Sequence, residues 1–274
     1  MQVVYEDNHV IIVAKRSGEI VQGDKTGDLP LSETVKAYIK ERYQKPGAVF
    51  LGVVHRLDRP VWGLVVFART SKALSRLNDM FREGAVHKTY WALVETRKEQ
   101  GGTRHAGSHG LQDDGEWHTL EHWLVRNEKQ NKSYVVPEPA QKGGGGAVAN
   151  GVVAKRAVLK YRVLGHSERY TLVEVRLLTG RHHQIRCQLS AMGCPIKGDL
   201  KYGARRSNPD GSICLLSRRV EFVHPVSKQP VCVEAPLPDD RLWQAFADVE
   251  TPEADAFATV DLYGAVPADK PSKT

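Results

Sequence analysis

Cysteine is scarce in this chain of 274 residues, which holds four, at positions 187, 194, 214 and 232. No two of them have the Cys-x-x-Cys spacing, which argues against a zinc ribbon or a redox pair. Long apolar runs are also missing, and none approaches the roughly 20 residues that a membrane-spanning helix needs. The first ten residues lack the basic start and apolar block of a signal peptide. We therefore expect a soluble, cytoplasmic protein with reduced thiols.

Two phosphate-binding signatures are absent as well, the G-x-G-x-x-G fingerprint of dinucleotide binders and the G-x-x-x-x-G-K-[ST] loop. Basic residues outnumber acidic ones over most of the chain, whose formal net charge is +7. Residues 238–274 contain eight acidic and three basic residues, a net charge of −5, so residues 1–237 carry +12 by subtraction. A body this basic favours a polyanionic partner, above all nucleic acid, over a merely soluble basic protein.

The hydrophobic pattern predicts many short strands and few helices. Strands are expected in residues 2–14 (two strands), 63–68, 86–95, 157–165 with 170–178 as a hairpin, 212–222 and 230–235. A helix is expected over 70–84, capped by Thr70 or Ser71 and ended by Gly84. Further helices are expected within 181–193 and near 242–246. This combination indicates an α+β domain with a mixed, largely antiparallel sheet.

Residues 97–155 differ from the rest because they are loop-rich and contain the tetraglycine Gly143–Gly146. A long loop inside a compact domain is usually functional or flexible, and only 118–127 has the pattern of an ordered segment. We predict one catalytic-type domain over residues 1–238, with 97–155 as an insertion. Residues 239–274 are predicted to form an acidic, partly disordered tail.

Three segments set polar residues beside core elements: His55-Arg56-Leu57-Asp58, Lys88-Thr89-Tyr90, and Thr179 to Arg186. Each has an ordinary structural explanation when taken alone. An aspartate at a strand end usually caps a turn, a tyrosine in a strand is usually core, and a helical arginine is usually solvated. Their combination is more informative than any one of them.

Together, "HRLDRPVWGLVVFART", "VHKTYWALV" and "LLTGRHHQIRCQLSAMGCPIKGDLKYG" resemble the RluA-like family of RNA pseudouridine synthases. The opening "YEDNHVIIVAKRSGEIVQ" and the closing "LLSRRVEFVHPVSKQPVCVEAPLP" are similar to the first and last segments of that family. The resemblance covers roughly residues 2–238 and leaves no room for the S4-type RNA-binding module that many relatives carry. It implies isomerisation of uridine in ribosomal or transfer RNA to pseudouridine, without cofactor or metal.

The resemblance assigns three catalytic residues. Asp58 matches the catalytic aspartate, a carboxylate that can stabilise or trap the oxocarbenium-like C1′ when the glycosidic bond breaks. Arg186 matches the arginine that keeps this carboxylate charged and oriented. Tyr90 matches the active-site tyrosine, whose ring can stack on the uracil and whose hydroxyl can assist loss of the C5 proton.

RNA contacts are expected around this centre, since a uridine must leave its stack before C1′ is reachable. The predicted binding residues are His55, Arg56, Trp62, Lys88, Arg181, His183 and Leu215. His55 has an equally plausible role as a structural histidine. Trp62 stands where many relatives have a small hydroxyl residue, and it can line the uracil pocket, stack on RNA or fill the core.

Several alternatives stay open on the sequence alone. A catalytically silent RNA-binding or ribosome-assembly protein could use the same fold, and a glycosidic hydrolase is disfavoured because no second acid accompanies Asp58. His118 and His122 have the i, i+4 spacing of a helical metal pair but lack a third ligand. We expect a monomer that binds RNA and no membrane.

Overall fold

The computed structural model describes residues 1–95, 110–138, 148–149 and 152–250. The helices are α1 (Leu31–Arg42), α2 (Ser71–Glu83), α3 (Gln184–Ala191) and the short α4 (Arg241–Gln244). The strands are β1 (Gln2–Glu6), β2 (Val10–Lys15), β3 (Gly52–Val53), β4 (Trp62–Ala68), β5 (His87–Glu95), β6 (His118–Asn127), β7 (Lys132–Val136), β8 (Val148–Ala149), β9 (Val152–Val153), β10 (Lys155–His166), β11 (Tyr170–Leu177), β12 (Leu215–Val223) and β13 (Pro230–Glu234).

Eleven of these strands form one sheet in the order β1-β2-β4-β12-β5-β11-β10-β6-β7, with β3 beside β4 and β13 beside β12. The pairings within the described residues are antiparallel except for that of β4 with β12, which is parallel. The predicted α+β class with a mixed, largely antiparallel sheet is therefore confirmed. The parallel junction lies at the centre of the sheet, where two distant parts of the chain meet.

The strand sequences explain where the core lies. Residues 10–13 of β2 and 64–67 of β4 are continuous apolar runs without solvent exposure, as expected of central strands covered on both faces. The predicted hairpin of β10 and β11 is present, with a register shift between Val163 and Gly165 that marks a bulge. The hydrophobic pattern therefore predicts most of the sheet and its hairpin. It misses β3 and also β7, which lies in the segment 97–155 that was predicted to be loop-rich.

The helix ends follow local chemistry where a capping signal exists. Thr70 Oγ1 accepts a hydrogen bond from the amide of Ala73, and Gly84 ends α2 in the left-handed conformation, both as predicted. Helix α1 was not predicted, because it starts after Pro30 without a side-chain cap. Its buried Leu31, Val35 and Ile39 have the i, i+4, i+8 spacing that could have revealed it.

The packed region continues past residue 238, where the sequence places a domain boundary. Trp243 and Phe246 belong to the main hydrophobic core, so α4 is part of the domain and the predicted start of the tail must move. The tetraglycine and residues 251–274 lie outside the described residues. Within the described ranges, no helix has the length and apolar character required to cross a bilayer.

Candidate active site

Asp58 lies in the turn that leads into β4, with its carbonyl accepting a hydrogen bond from the amide of Val61 at 3.0 Å. Pro60 suits this turn because its ring fixes φ. The buried Lys15 ammonium donates to the carbonyls of Arg16, Arg59 and Val61 at 2.8–3.0 Å. The backbone around Asp58 is thereby fixed from below, while the carboxylate keeps 33% of its surface exposed.

The Lys15 ammonium has almost no contact with water. Burial lowers the pKa of Lys15 to about 8, while the charges of Glu19 and Asp58 act in the opposite direction. At neutral pH the group is still protonated, so it can donate to all three carbonyls at once. Such a lysine stabilises the turn without touching a substrate.

Arg186 reaches Asp58 from α3. Its Nη1 lies 3.0 Å from Asp58 Oδ2, and its Nε and Nη2 bind the two oxygens of Asp199 at 2.6 and 2.9 Å. Burial opposes the charge of Arg186, but Asp199 and Asp58 outweigh it and raise the pKa of the guanidinium. A bidentate carboxylate on one edge fixes the plane of the guanidinium and aims the remaining nitrogen at Asp58.

Asp199 was missed by the sequence reasoning. It is buried and precedes a 3-10 turn (Leu200–Tyr202), inside the stretch "KGDLKYG". The one sequence signal for Asp199 was its position in the same quoted segment as Arg186. Its distance in sequence from Arg186 gave no reason to pair the two.

Tyr90 completes the centre from β5, where it pairs with Ser217 of β12. It is buried, and burial together with the nearby Asp58 charge raises the pKa of its phenol above the ordinary value. At neutral pH Tyr90 is therefore a protonated phenol beside the carboxylate. What it offers a substrate is an aromatic face and a neutral hydroxyl rather than a phenolate.

A comparison with known families identifies the family of this chain. A family model described as RNA pseudouridylate synthase matches residues 9–191, a range that contains Asp58, Tyr90 and Arg186. The chain belongs to the RNA pseudouridylate synthase family. The predicted resemblance to RluA-like enzymes is thereby confirmed.

Curated relatives support the same assignment. "Ribosomal large subunit pseudouridine synthase C" of Vibrio cholerae is 32% identical over 86% of this chain, and the chain spans 65% of that relative's length. "Ribosomal large subunit pseudouridine synthase D" of Pseudomonas aeruginosa is 31% identical over 89% of this chain and 70% of the relative. The solved structure "Human RNA Pseudouridylate Synthase Domain Containing 4" shares the fold with a TM-score of 0.66, at 22% identity and over 89% of this chain and 90% of that one.

Trp62, which departs from the pattern of many synthases of this family, lies on the other side of the sheet from Tyr90. It pairs with Leu216, which pairs in turn with Trp91, and paired residues project from the same face. Tyr90 neighbours Trp91 along β5 and therefore points to the opposite face. The predicted contact between Trp62 and the substrate is thus corrected, and its core-packing alternative is favoured.

The close approach of β12 explains why a glycine, Gly63, follows Trp62. The φ of Gly63 is +113°, and a Cβ there would lie 2.6 Å from the amide nitrogen of Ser217 and closer still to the Ser217 carbonyl oxygen. Only glycine allows β4 and β12 to approach this closely. Leu215, by contrast, pairs with Ala92 and is buried on the face of Tyr90, where the sequence places it.

His55 and Lys88 lie beneath α2 rather than at an RNA-facing rim. The His55 ring stacks on Phe81 at 4.8 Å between centroids, and its Nε2 accepts a hydrogen bond from the amide of Val66. The Lys88 ammonium lies 5.1 Å from the centre of the Phe81 ring. Both side chains pack α2 against the sheet, which favours the structural alternative for His55 and gives Lys88 a packing role in place of its predicted RNA contact.

The two predicted arginine contacts have different surroundings. Arg56 is exposed beside Asp58. Arg181 is half-buried, and its Nε donates to the carbonyl of Arg156 at 2.8 Å, which anchors the loop before α3 to β10. Arg56 therefore remains a predicted RNA contact, whereas Arg181 supports the loop.

His118 and His122 lie on a strand, β6, and not on a helix. His118 pairs with Asp114, and His122 lies near Gln188, so the i, i+4 geometry does not arise. Across the part of the chain that the structure describes, no cluster of three or more potential metal ligands occurs. Because both histidines lie on a strand, they do not form the helical metal pair that the sequence already disfavours.

Proposed function

We propose that this chain isomerises uridine in RNA to pseudouridine, with Asp58 as the nucleophile. The observation that carries the proposal is the geometry of Arg186, clamped by Asp199 on one edge and lying 3.0 Å from Asp58 on the other. A partly exposed carboxylate, held through Oδ2 by a buried guanidinium and sharing its site with a buried tyrosine, suits attack on a sugar carbon.

The reaction balances within a single nucleotide. The N1–C1′ bond breaks with its electron pair on the uracil, and Asp58 stabilises or captures the electron-poor C1′. The uracil turns, C5 bonds to C1′, the proton on C5 is lost, and N1 gains a proton. Because no atom is added or removed overall, the reaction consumes no co-substrate. Tyr90 provides the aromatic wall against which the uracil can turn.

The substrate we favour is large-subunit ribosomal RNA. Relatives named as ribosomal large subunit pseudouridine synthases are similar over most of the chain. Residues 1–237 carry the charge of +12 expected of an RNA-binding body. Exposed Arg56, Arg126 and Lys201 surround the site. Burial is the main cause that lowers the pKa of the neighbouring His182, and the charges of Arg126 and, more weakly, Lys201 lower it further. Transfer RNA is the alternative substrate.

The decisive experiment incubates the purified chain with unmodified ribosomal and transfer RNA and maps pseudouridine by chemical derivatisation and primer extension. We expect product at defined uridines with wild type, and none with Asp58→Ala. Asp79→Ala is the matched control, because Asp79 is half-exposed on α2 and pairs only with Arg82 at the surface.

The outcomes distinguish catalysis by Asp58 from a catalytically silent RNA-binding protein. Equal product from wild type and Asp58→Ala would show that Asp58 is not the nucleophile. Absence of product with every RNA, together with retained RNA binding, would favour the catalytically silent assembly protein. The predicted monomeric state is checked on the same preparation by light scattering.

A further inference from the structure

His183 lies against the proposed nucleophile and not against solvent. It is only 8% exposed, and its Nε2 is 3.4 Å from Asp58 Oδ2, the oxygen that Arg186 also holds. Its ring stacks on His182 with centroids 3.8 Å apart, and the edge of Tyr202 packs against it. This placement corrects the predicted RNA contact of His183, since an RNA phosphate cannot reach a ring enclosed in this way.

The hydrogen-bond pattern around Tyr202 determines which nitrogen of His183 carries the proton. The Tyr202 hydroxyl oxygen accepts from the amide of Ser133 at 2.8 Å and lies 3.0 Å from His183 Nδ1. Among the described residues, only His183 offers this hydroxyl an acceptor. The phenolic hydrogen is therefore donated to Nδ1, which leaves the proton of a neutral imidazole on Nε2, facing Asp58.

The surroundings also keep the ring neutral. Burial lowers the pKa of His183 to about 3, with Asp58 opposing the shift and Arg186 adding to it. Burial likewise raises the pKa of Tyr202 to about 12, so its hydroxyl remains a donor at neutral pH. In addition, His183 has a φ of +51°, in the left-handed region that glycine would occupy more easily. Position 183 thus carries a histidine although its left-handed backbone conformation disfavours a residue with a side chain.

We propose that His183 is a positioning residue for Asp58: its neutral ring, fixed as the Nε2–H tautomer by Tyr202, directs Oδ1 toward C1′ by holding Oδ2. Arg186 Nη1 and His183 Nε2 converge on Oδ2, whereas Oδ1 has no contact of this kind within the described residues. A carboxylate held through one oxygen presents the other to the sugar. This inference rests on the proposed function of the same site.

The first test compares two substitutions at His183 under single-turnover conditions. His183→Gln places a neutral amide donor near the position of Nε2, whereas His183→Leu fills the space without a donor. Because His183 Nε2 lies 3.4 Å from Asp58 Oδ2 without hydrogen-bond geometry, its loss is that of a weaker polar contact. We expect His183→Leu to slow turnover about 2- to 10-fold, with an RNA KM close to wild type. His183→Gln should recover most of that loss.

Contrary results are clearly distinguishable. Wild-type turnover in His183→Leu, or equal losses in both variants, would overturn the positioning role. A raised KM with a shallower salt dependence, at unchanged turnover, would restore the phosphate contact instead. A wild type that forms no pseudouridine would refute the proposed function and leave the tautomer to be judged separately.

The second test needs no active enzyme and no His183 variant. In the folded protein labelled with ¹⁵N-histidine, NMR distinguishes protonated from bare ring nitrogens. We expect His183 to show a bare Nδ1 and a protonated Nε2 from pH 5 to 9, and Tyr202→Phe to introduce the Nδ1–H form. A wild-type imidazolium that titrates near neutral pH, or an Nδ1–H tautomer, would overturn the inference.

Discussion

Gly63→Ala should disrupt the junction on which the site is built. At this position β4 runs parallel to β12 through the pairs Trp62–Leu216 and Gly63–Ser217. The new Cβ would face main-chain atoms of Ser217, which cannot rotate away as a side chain could. The same Ser217 pairs with Tyr90, so a shift of β12 also moves the aromatic wall of the site.

The expected loss of stability combines two terms. Strain from a side chain at φ +113° costs about 1–3 kcal/mol. Overpacking against β12, relieved only by separating the strands, costs about 1–3 kcal/mol more. The sum is about 2–6 kcal/mol, which for a domain of this size lowers Tm by roughly 5–20 °C.

Thermal unfolding followed by circular dichroism measures this effect against two alanine controls. Gly84 has a φ of +75° with open space around its Cβ position, so Gly84→Ala isolates the backbone strain. Gly47 has neither a positive φ nor a neighbour within 4 Å, and Gly47→Ala should leave Tm almost unchanged. If Gly63→Ala melted no lower than Gly84→Ala, the claimed close approach of β4 and β12 would be refuted.

Three further predictions concern the site and its support. Tyr90→Phe keeps the aromatic wall but removes the hydroxyl that can assist loss of the C5 proton, so it should keep the wild-type Tm but lose turnover in the pseudouridine assay. Retained turnover would show that the hydroxyl is dispensable. Asp199→Asn weakens the two hydrogen bonds that hold the buried Arg186, so it should lower the free energy of unfolding by about 1–3 kcal/mol. It should reduce turnover more than RNA binding, and unchanged turnover would show that Asp199 does not belong to the site. Burial lowers the pKa of His55 to about 3, so the unfolded chain binds the extra proton first and stability falls as the pH drops from about 6.5 toward 3. His55→Gln keeps an acceptor for the amide of Val66. In urea unfolding at pH 7, 5 and 4, its free energy of unfolding should depend less steeply on pH than that of wild type, by at most about 1.4 kcal/mol per pH unit. An unchanged slope would mean that His55 is protonated in the fold.

Much of this protein is determined by local sequence. Periodicity predicted most strands of the sheet, though not β3 or β7, and Thr70 and Gly84 marked the ends of α2. Caps and alternating apolar residues are readable because they act over a few positions. The motifs around Asp58, Tyr90 and Arg186 predicted the family before any fold was known. Helix α1 was missed because its start has no capping side chain, although the spacing of Leu31, Val35 and Ile39 was an available signal.

The tertiary structure decided which of the remaining residues belong to the site. A shift of one position along a strand turns a side chain to the opposite face, so only the register of β4, β12 and β5 could remove Trp62 from the Tyr90 face. The contact of Arg186 with Asp58 spans 128 residues, and the enclosure of His183 depends on β7 and Tyr202. Contacts between segments so far apart in the chain have no local signature, because they arise only when the packed sheet brings those segments together.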